Sequence, residues 1–557
     1  MLTATYRRYL NTLVLLASVL TTVTVSPRGS IDPINLPKLC ILIVLGSSVV
    51  GLLASNSKIF VSSIYRVPVL LSSIFLAQLI VVFLLDDRDL GLKSYGVFGR
   101  NTGFLAYFFL TVIFLASVFL ASQQFSKGLA LAFMGMGCSL AIYGLFQKLG
   151  YDLYQFQNLY GTNVFGTLGN PNFHSALMGM TAAVVLMFGL FSKLRVFQKS
   201  ILLLLGVLAL WNIRWSSEQG YLVFIASLSV GLLMFLFMTR KMLFAWIALA
   251  VSTLGGICVG LALFNVGPAS RFIYGSSIEV RGFYWRAAIN LITENPLLGS
   301  GFDSYGDWYR RGRTQEIADF NPSIAADSAH NIPLDIAVNG GVPLLLAYLA
   351  IQVFVLVSII KIVRKSTNFE INTVILIAIW TGFQVQSLIS INSIGVGVWG
   401  WISSGAIIGY LLNTQSAPEK STQTGSSKSA ESHSSKGLKL MIFIVLFGLL
   451  GSVIALAPYR AANGFLTALK SQNVESIISS ASIKPYDRYR FLYVADILIQ
   501  NQKNTEALQI LNEGVEIFPD SFEIWRLIYL NPATPANRIT KAKSELHRLD
   551  PHNPEWS

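Results

Sequence analysis

Long apolar runs separated by short polar breaks occupy most of the first 457 positions. Each run is about 17–25 residues long, enough for a helix to cross roughly 30 Å of hydrocarbon. They fall at Tyr9–Val25, Pro37–Ala54, Val67–Leu85, Gly103–Ala121, Leu129–Phe146, Phe173–Phe191, Ile201–Ile213, Tyr221–Met238, Met242–Val266, Val342–Ile360, Thr373–Ile391, Ile394–Leu412 and Leu440–Ala457. The pattern predicts an all-α, polytopic membrane helix bundle of about thirteen spans, twelve of them in a core over residues 1–412. The alternation of a β-barrel is absent. Ile201–Ile213 is short for a span and is expected to extend only through the polar stretch at Arg214, as a broken helix. Arg7 and Arg8 precede the first run without a small-residue cleavage site, so that run reads as a retained helix and not a signal peptide.

Lysines and arginines near the span ends orient the bundle. An inside N-terminus puts seventeen of them on the inner side and seven in the opposite short loops, which selects N-in. The expected location is therefore a membrane crossed many times, with the N-terminus on its cytoplasmic side. The loop at 267–341 is then extracytoplasmic, a Ser/Thr/Gly/Lys-rich linker at 413–437 is cytoplasmic, a last span covers 438–457, and the tail at 458–557 is extracytoplasmic. In that tail Pro485, Pro519 and Pro551 recur at spacings of 34 and 32, which suggests tetratricopeptide-like helix pairs or a generic helical cap. Such a tail offers a surface for a protein partner.

Composition agrees with a bilayer protein: 53% apolar, 12% charged, mean hydropathy +0.58. The net charge of +13 is largely explained by positive-inside anchoring, and no nucleic-acid module is visible. Cys40, Cys138 and Cys258 all lie in apolar runs and read as packing residues, not disulfide halves or metal ligands.

The distribution of charge locates candidate chemistry. Every basic residue of the 267–341 loop is arginine: Arg271, Arg281, Arg286, Arg310, Arg311 and Arg313. A planar guanidinium holds phosphate oxygens in a bidentate fork, whereas lysine acts as a point charge. A phosphate or diphosphate ligand is indicated, although some of these arginines are expected to pair with the loop's own eight acidic residues. The same loop carries His330, followed by Asn331, ahead of the tenth span. Only His330 and His174 of the five histidines lie beside spans at the outer face, and a histidine there suits proton removal from an acceptor hydroxyl near neutral pH. His174 is the weaker candidate. Asp86, Asp87 and Asp89 read as a solvated acidic loop, and no His-x-x-x-His pair or Cys cluster supports a metal.

Three segments resemble the O-antigen ligase/polymerase superfamily: Gly166 through Asn172, Arg281 through Trp285 with Asn295-Pro296-Leu297-Leu298-Gly299-Ser300-Gly301, and His330-Asn331 with Gly340-Gly341. The resemblance implies a glycosyltransferase that moves a glycan from an undecaprenyl-diphosphate carrier to a hydroxyl of a saccharide, lipid or protein acceptor, without metal or other cofactor. His330 would be the base or acceptor-orienting group and Arg281 would hold the leaving diphosphate, with Arg286, Arg214, Asn331, Arg310, Arg311 and Arg313 as further substrate-binding candidates. One departure stands out. Where the family often has Ser-Arg-Gly, this chain has Ser217-Glu218-Gln219-Gly220, with Arg214 nearby as a substitute. A lipid or glycan transporter is the alternative reading, against which stands the lack of internal repeats.

Overall fold

The computed structural model describes residues 3–154, 161–273, 275–366, 368–415 and 431–556. Among them the chain is helical throughout, with no strand. Each of the thirteen apolar runs coincides with a helix, four of them overrunning it by one to three residues. Eleven of those helices are long and apolar enough to cross a membrane by length and composition. The other two are Ala4–Val23 and the 17-residue Phe104–Leu120. Phe104–Leu120 is almost wholly buried by protein, packed on Ile394–Gln415, Asn35–Ala54 and Arg66–Leu85. At the opposite extreme, Met242–Leu263 buries only Ala245 and Ala262 and turns the rest outward, so Cys258 is exposed there and is not a packing residue.

Two expectations need correction. The Ile201–Ile213 run is not part of a broken helix. It lies in a continuous helix, Val196–Ser216, with Arg214 in its last turn. The Gln198 side chain accepts from the Arg195 amide at 3.1 Å and starts the helix early. Asn212 within it donates to the Ala141 and Leu208 carbonyls at 3.0 and 2.9 Å, so its amide is not stranded in the bundle. The last span does not end near Ala457 either, because Glu431–Ser471 is one 41-residue helix that runs through Pro458 into the tail. The 413–437 linker lies mainly outside the described residues, and its described ends belong to helices Ile394–Gln415 and Glu431–Ser471.

The proline period of the tail is a period of helix pairs. Pro485 precedes Arg488–Gln500 and Asn504–Ile517, and Pro519 precedes Phe522–Leu530 and Ala536–Leu549. Their inner faces form a separate core around Phe465, Phe491, Leu511, Trp525 and Leu546. Such large side chains contribute roughly 1.5–3 kcal/mol each on full burial. The tail is also seated on the bundle end that carries the 267–341 loop. Phe98 and Tyr489 stack with centroids 4.1 Å apart, Tyr459 shares a 2.8 Å hydrogen bond with Ser26, and Arg313 pairs with Asp550. Loop and tail therefore meet at one end of the molecule.

Candidate functional site

The site is built where the loop docks on a break in the helix Ile332–Lys365. Gly340 and Gly341 leave helical geometry there, Gly341 at φ +75°. An unbroken helix would join the Val342 amide to the Val338 carbonyl. Instead the Val342 amide donates to Pro296 O at 2.7 Å, and Val338 O accepts from the Ser300 amide at 2.7 Å. Gln78 from a neighbouring span donates to Leu297 O at 2.8 Å and Gly340 O at 3.0 Å. The two glycine motifs are thus one structural unit. A Cβ on Gly341 would stand 2.5 Å from the Leu297 backbone, which explains why glycine occupies the position.

Just before this helix, Asn331 caps the first turn by accepting from the Leu334 amide at 3.0 Å, and its Nδ2 donates to Leu388 O at 3.1 Å. Its side chain is committed to positioning the turn. Asp335, buried one turn later, accepts from Ser328 Oγ at 2.6 Å and the Ala329 amide at 2.9 Å, and Ser328 Oγ in turn accepts from the His330 amide at 3.1 Å. This chain of bonds holds His330 at φ +51°, a conformation uncommon for residues other than glycine. The imidazole stacks on Tyr284 with centroids 5.4 Å apart. Among the described residues no group hydrogen-bonds to its ring, and Nδ1 is buried without a partner. Burial, followed by the nearby Arg281 guanidinium, pushes its pKa down to about 4, so the ring is neutral near pH 7.

Tyr284 belongs to the helix Ser276–Glu294, which also carries Arg281 and Arg286. Arg281 is buried, and its one hydrogen bond is a long one of 3.4 Å to Gln219 Oε1. Gln219 also donates to Gln386, so its amide links Arg281 to the helix Ile371–Ile389. Among the described residues no carboxylate pairs with Arg281, and burial lowers its affinity for its proton. Arg214, the proposed substitute, is exposed at the end of its helix.

The other arginines are held by the protein. Arg286 pairs with Glu316 at 2.8 Å and lies over Phe283. Arg311 pairs with Glu294 at 3.3 Å beside Trp308. Arg310 lies 4.1 Å over the Phe522 ring of the tail. Arg313, fully buried, grips both oxygens of Asp550 at 2.7 and 2.8 Å and donates to Pro322 O at 2.9 Å. Pairing with acidic residues of the loop was foreseen; pairing with the tail was not, because Asp550 lies more than two hundred positions away.

His174 is fully buried in the bundle, with Nε2 3.1 Å from Asn212 Oδ1, and is remote in contacts from the His330 group. Lys38, assigned from sequence to an outer loop, is buried and donates to the Thr24 and Thr167 carbonyls at 2.7 Å each. It thereby clamps the Gly166–Asn172 segment to the first connection. The acidic loop is consumed by structure: Asp86 pairs with Arg88 and Asp89 caps Leu90–Tyr95. Among the described residues no group of three or more His, Cys, Asp or Glu is placed to hold a metal. Sequence reasoning missed Asp335, Tyr284 and Gln219, which only spacing of one helical turn from His330 hinted at in the case of Asp335.

No curated protein matches the chain. The model of the O-antigen ligase family matches residues 172–349, a segment holding Gln219, Arg281, His330 and the Gly340-Gly341 break, and this part of a chain with eleven helices long and apolar enough to cross a membrane is similar to that family.

Proposed function

We propose that this protein transfers a glycan from an undecaprenyl-diphosphate carrier to an acceptor hydroxyl at the outer face of a bacterial cytoplasmic membrane, without a metal. The observation that carries the reading is a buried guanidinium, Arg281, with no carboxylate partner among the described residues, next to a neutral imidazole, His330, whose ring makes no hydrogen bond among those residues. A buried cation without a counter-ion is costly unless a ligand supplies the charge. A diphosphate does so.

The acceptor oxygen forms a bond to the anomeric carbon of the donor as the bond from that carbon to the diphosphate oxygen breaks. The electron pair leaves on the diphosphate, where Arg281 stabilises the developing charge. The acceptor's proton passes to His330. A ring held neutral before the donor arrives is ready to take it, and the incoming diphosphate raises its basicity by offsetting Arg281. Arg214, exposed in the last turn of its helix, is assigned the role of a further contact to the donor. Asn331 and Asp335 act by holding the His330 turn, while Arg286, Arg310, Arg311 and Arg313 order the loop and its contact with the tail.

The test is glycan transfer in vitro from undecaprenyl-diphosphate-linked donor by purified protein, with chelator present, comparing wild type with His330→Ala. The expected result is chelator-resistant transfer that falls by about 10²- to 10⁴-fold in the variant, the usual worth of general acid–base catalysis. Wild-type-like transfer by His330→Ala would remove the histidine from the mechanism, and no transfer by wild type would favour a transporter.

A further inference from the structure

A cavity of about 280 Å³ lies between the tail and the outer end of the bundle. We propose that it binds the acceptor saccharide, an inference that rests on the assignment of His330 above. Asp327, three residues before His330, forms part of its wall, and the same carboxylate acts electrostatically on the imidazole. Arg281 is not part of that wall. His330 is not in the wall either, so the cavity approaches the His330 turn through Asp327, on a wall to which the diphosphate-holding group does not contribute.

Its lining has the chemistry of sugar recognition. Phe98 and Tyr489 stack nearly parallel, 8° apart, and present aromatic surface suited to the apolar C–H face of a pyranose. Asn101, also in the wall, is 6% exposed and held at φ +55°, and its Oδ1 is buried without a hydrogen-bond partner. An unsatisfied buried acceptor is unfavourable, and a ligand hydroxyl would satisfy it. On the tail side, Arg488, which also pairs with Asp307, and Glu523, 3.9 Å from Arg488, add a donor and an acceptor. Much of the wall is apolar, but an isoprenoid or acyl chain would leave Asn101 and the charged groups of the wall without partners. A phosphate would meet the carboxylates of Asp327 and Glu523. A largely uncharged ligand rich in hydroxyls answers all of them. The tail accordingly closes the acceptor site, which the bundle by itself leaves open.

The test uses the full-length protein in its own cells, with Phe98 replaced by the photo-crosslinking residue p-benzoylphenylalanine. Illumination is expected to give an adduct that carries saccharide, detected by periodate-sensitive glycan staining and mass. His330→Ala should retain the adduct, because occupancy does not require turnover. Asn101→Gly, which keeps the positive φ without strain, should reduce it by at least about tenfold at unchanged thermal stability, the weight of a lost hydrogen bond to a buried group, and Glu523→Gln, at a partly exposed carboxylate, by a smaller factor. No adduct, an adduct of lipid or protein without saccharide, or full labelling in both variants would overturn the proposal. A saccharide adduct in a protein that transfers nothing in vitro would instead sink the catalytic reading and leave the binding site standing.

Discussion

Asp550→Asn is the most revealing perturbation of this protein outside its catalytic residues. Arg313 and Asp550 are both fully buried, joined by contacts of 2.7, 2.8 and 3.2 Å. The pair links the segment after Tyr305–Gly312 to the last long helix of the tail. Removing the carboxylate charge leaves Arg313 with carbonyl acceptors at Pro322 and Ile324 but no counter-ion. Breaking one side of a buried pair costs about 3–5 kcal/mol. At 1.36 kcal/mol per decade, the local opening of the tail should rise by about 10²- to 10³-fold or slightly more. Hydrogen exchange in detergent or nanodiscs reads this directly, as lost protection in Ala536–Leu549 and Tyr305–Gly312 with the membrane helices unchanged. Arg313→Met combined with Asp550→Leu should recover much of the loss, because an apolar pair of similar volume removes the stranded charge. The contact also has a route to the site: Tyr305 donates to the Tyr284 carbonyl at 2.8 Å, and Tyr284 stacks on His330. Transfer should therefore weaken together with tail docking. An exchange rate within about twofold of wild type would refute the reasoning, since a pair worth so little is not the buried clamp described here.

Arg281→Lys retains the charge but not the fork, and should lower kcat/KM for the lipid-linked donor by at least about tenfold, with full activity telling against a direct diphosphate contact. For pH, His330 is depressed to about 4 in the free protein, so the acidic limb of kcat/KM should lie near 4, not at the ordinary histidine value of about 6.5. Between those values the unfolded chain binds a proton that the folded one refuses, so His330 lowers stability as pH falls and the loss is complete below 4. A kcat/KM limb near 6.5 that vanishes in His330→Asn would show the ring to be solvated. Gly341→Ala must relieve both a contact with Leu297 and a positive φ, so it should undock the Asn295–Gly301 segment and cost activity with loss of thermal stability, whereas Gly282→Ala, with open space around it, should be silent. Cysteines placed at exposed positions of the loop and of the tail should react alike with an impermeant reagent on intact cells, and labelling of one alone would change the number of spans between them.

What the sequence determined by itself is what depends on local pattern. Helix-length apolar runs located all thirteen helices, because in a bilayer each segment must satisfy its own backbone hydrogen bonds and so declares itself by length and composition. Pro485 and Pro519 marked breaks between helices of the tail, where a missing N–H and a fixed φ are tolerated, although Pro458 is carried inside a helix. Arg281 and His330 were legible as residue types suited to phosphate and proton chemistry beside a span. The tertiary structure decided the rest. Arg310, Arg311 and Arg313 look alike in sequence to Arg281, and what separates them is whether a distant carboxylate or ring comes to rest against them, as Asp550 does against Arg313 and Phe522 against Arg310. Lys38 reads as a loop cation until two carbonyls from different connections converge on it. The bond lost at Gly340-Gly341 is repaid by Pro296 and Ser300, some forty positions earlier, and no local signal records such an exchange. Partnership between side chains is a property of the packed chain: it is fixed by which groups are left without water or backbone to bond, and that is known only when every element is in place.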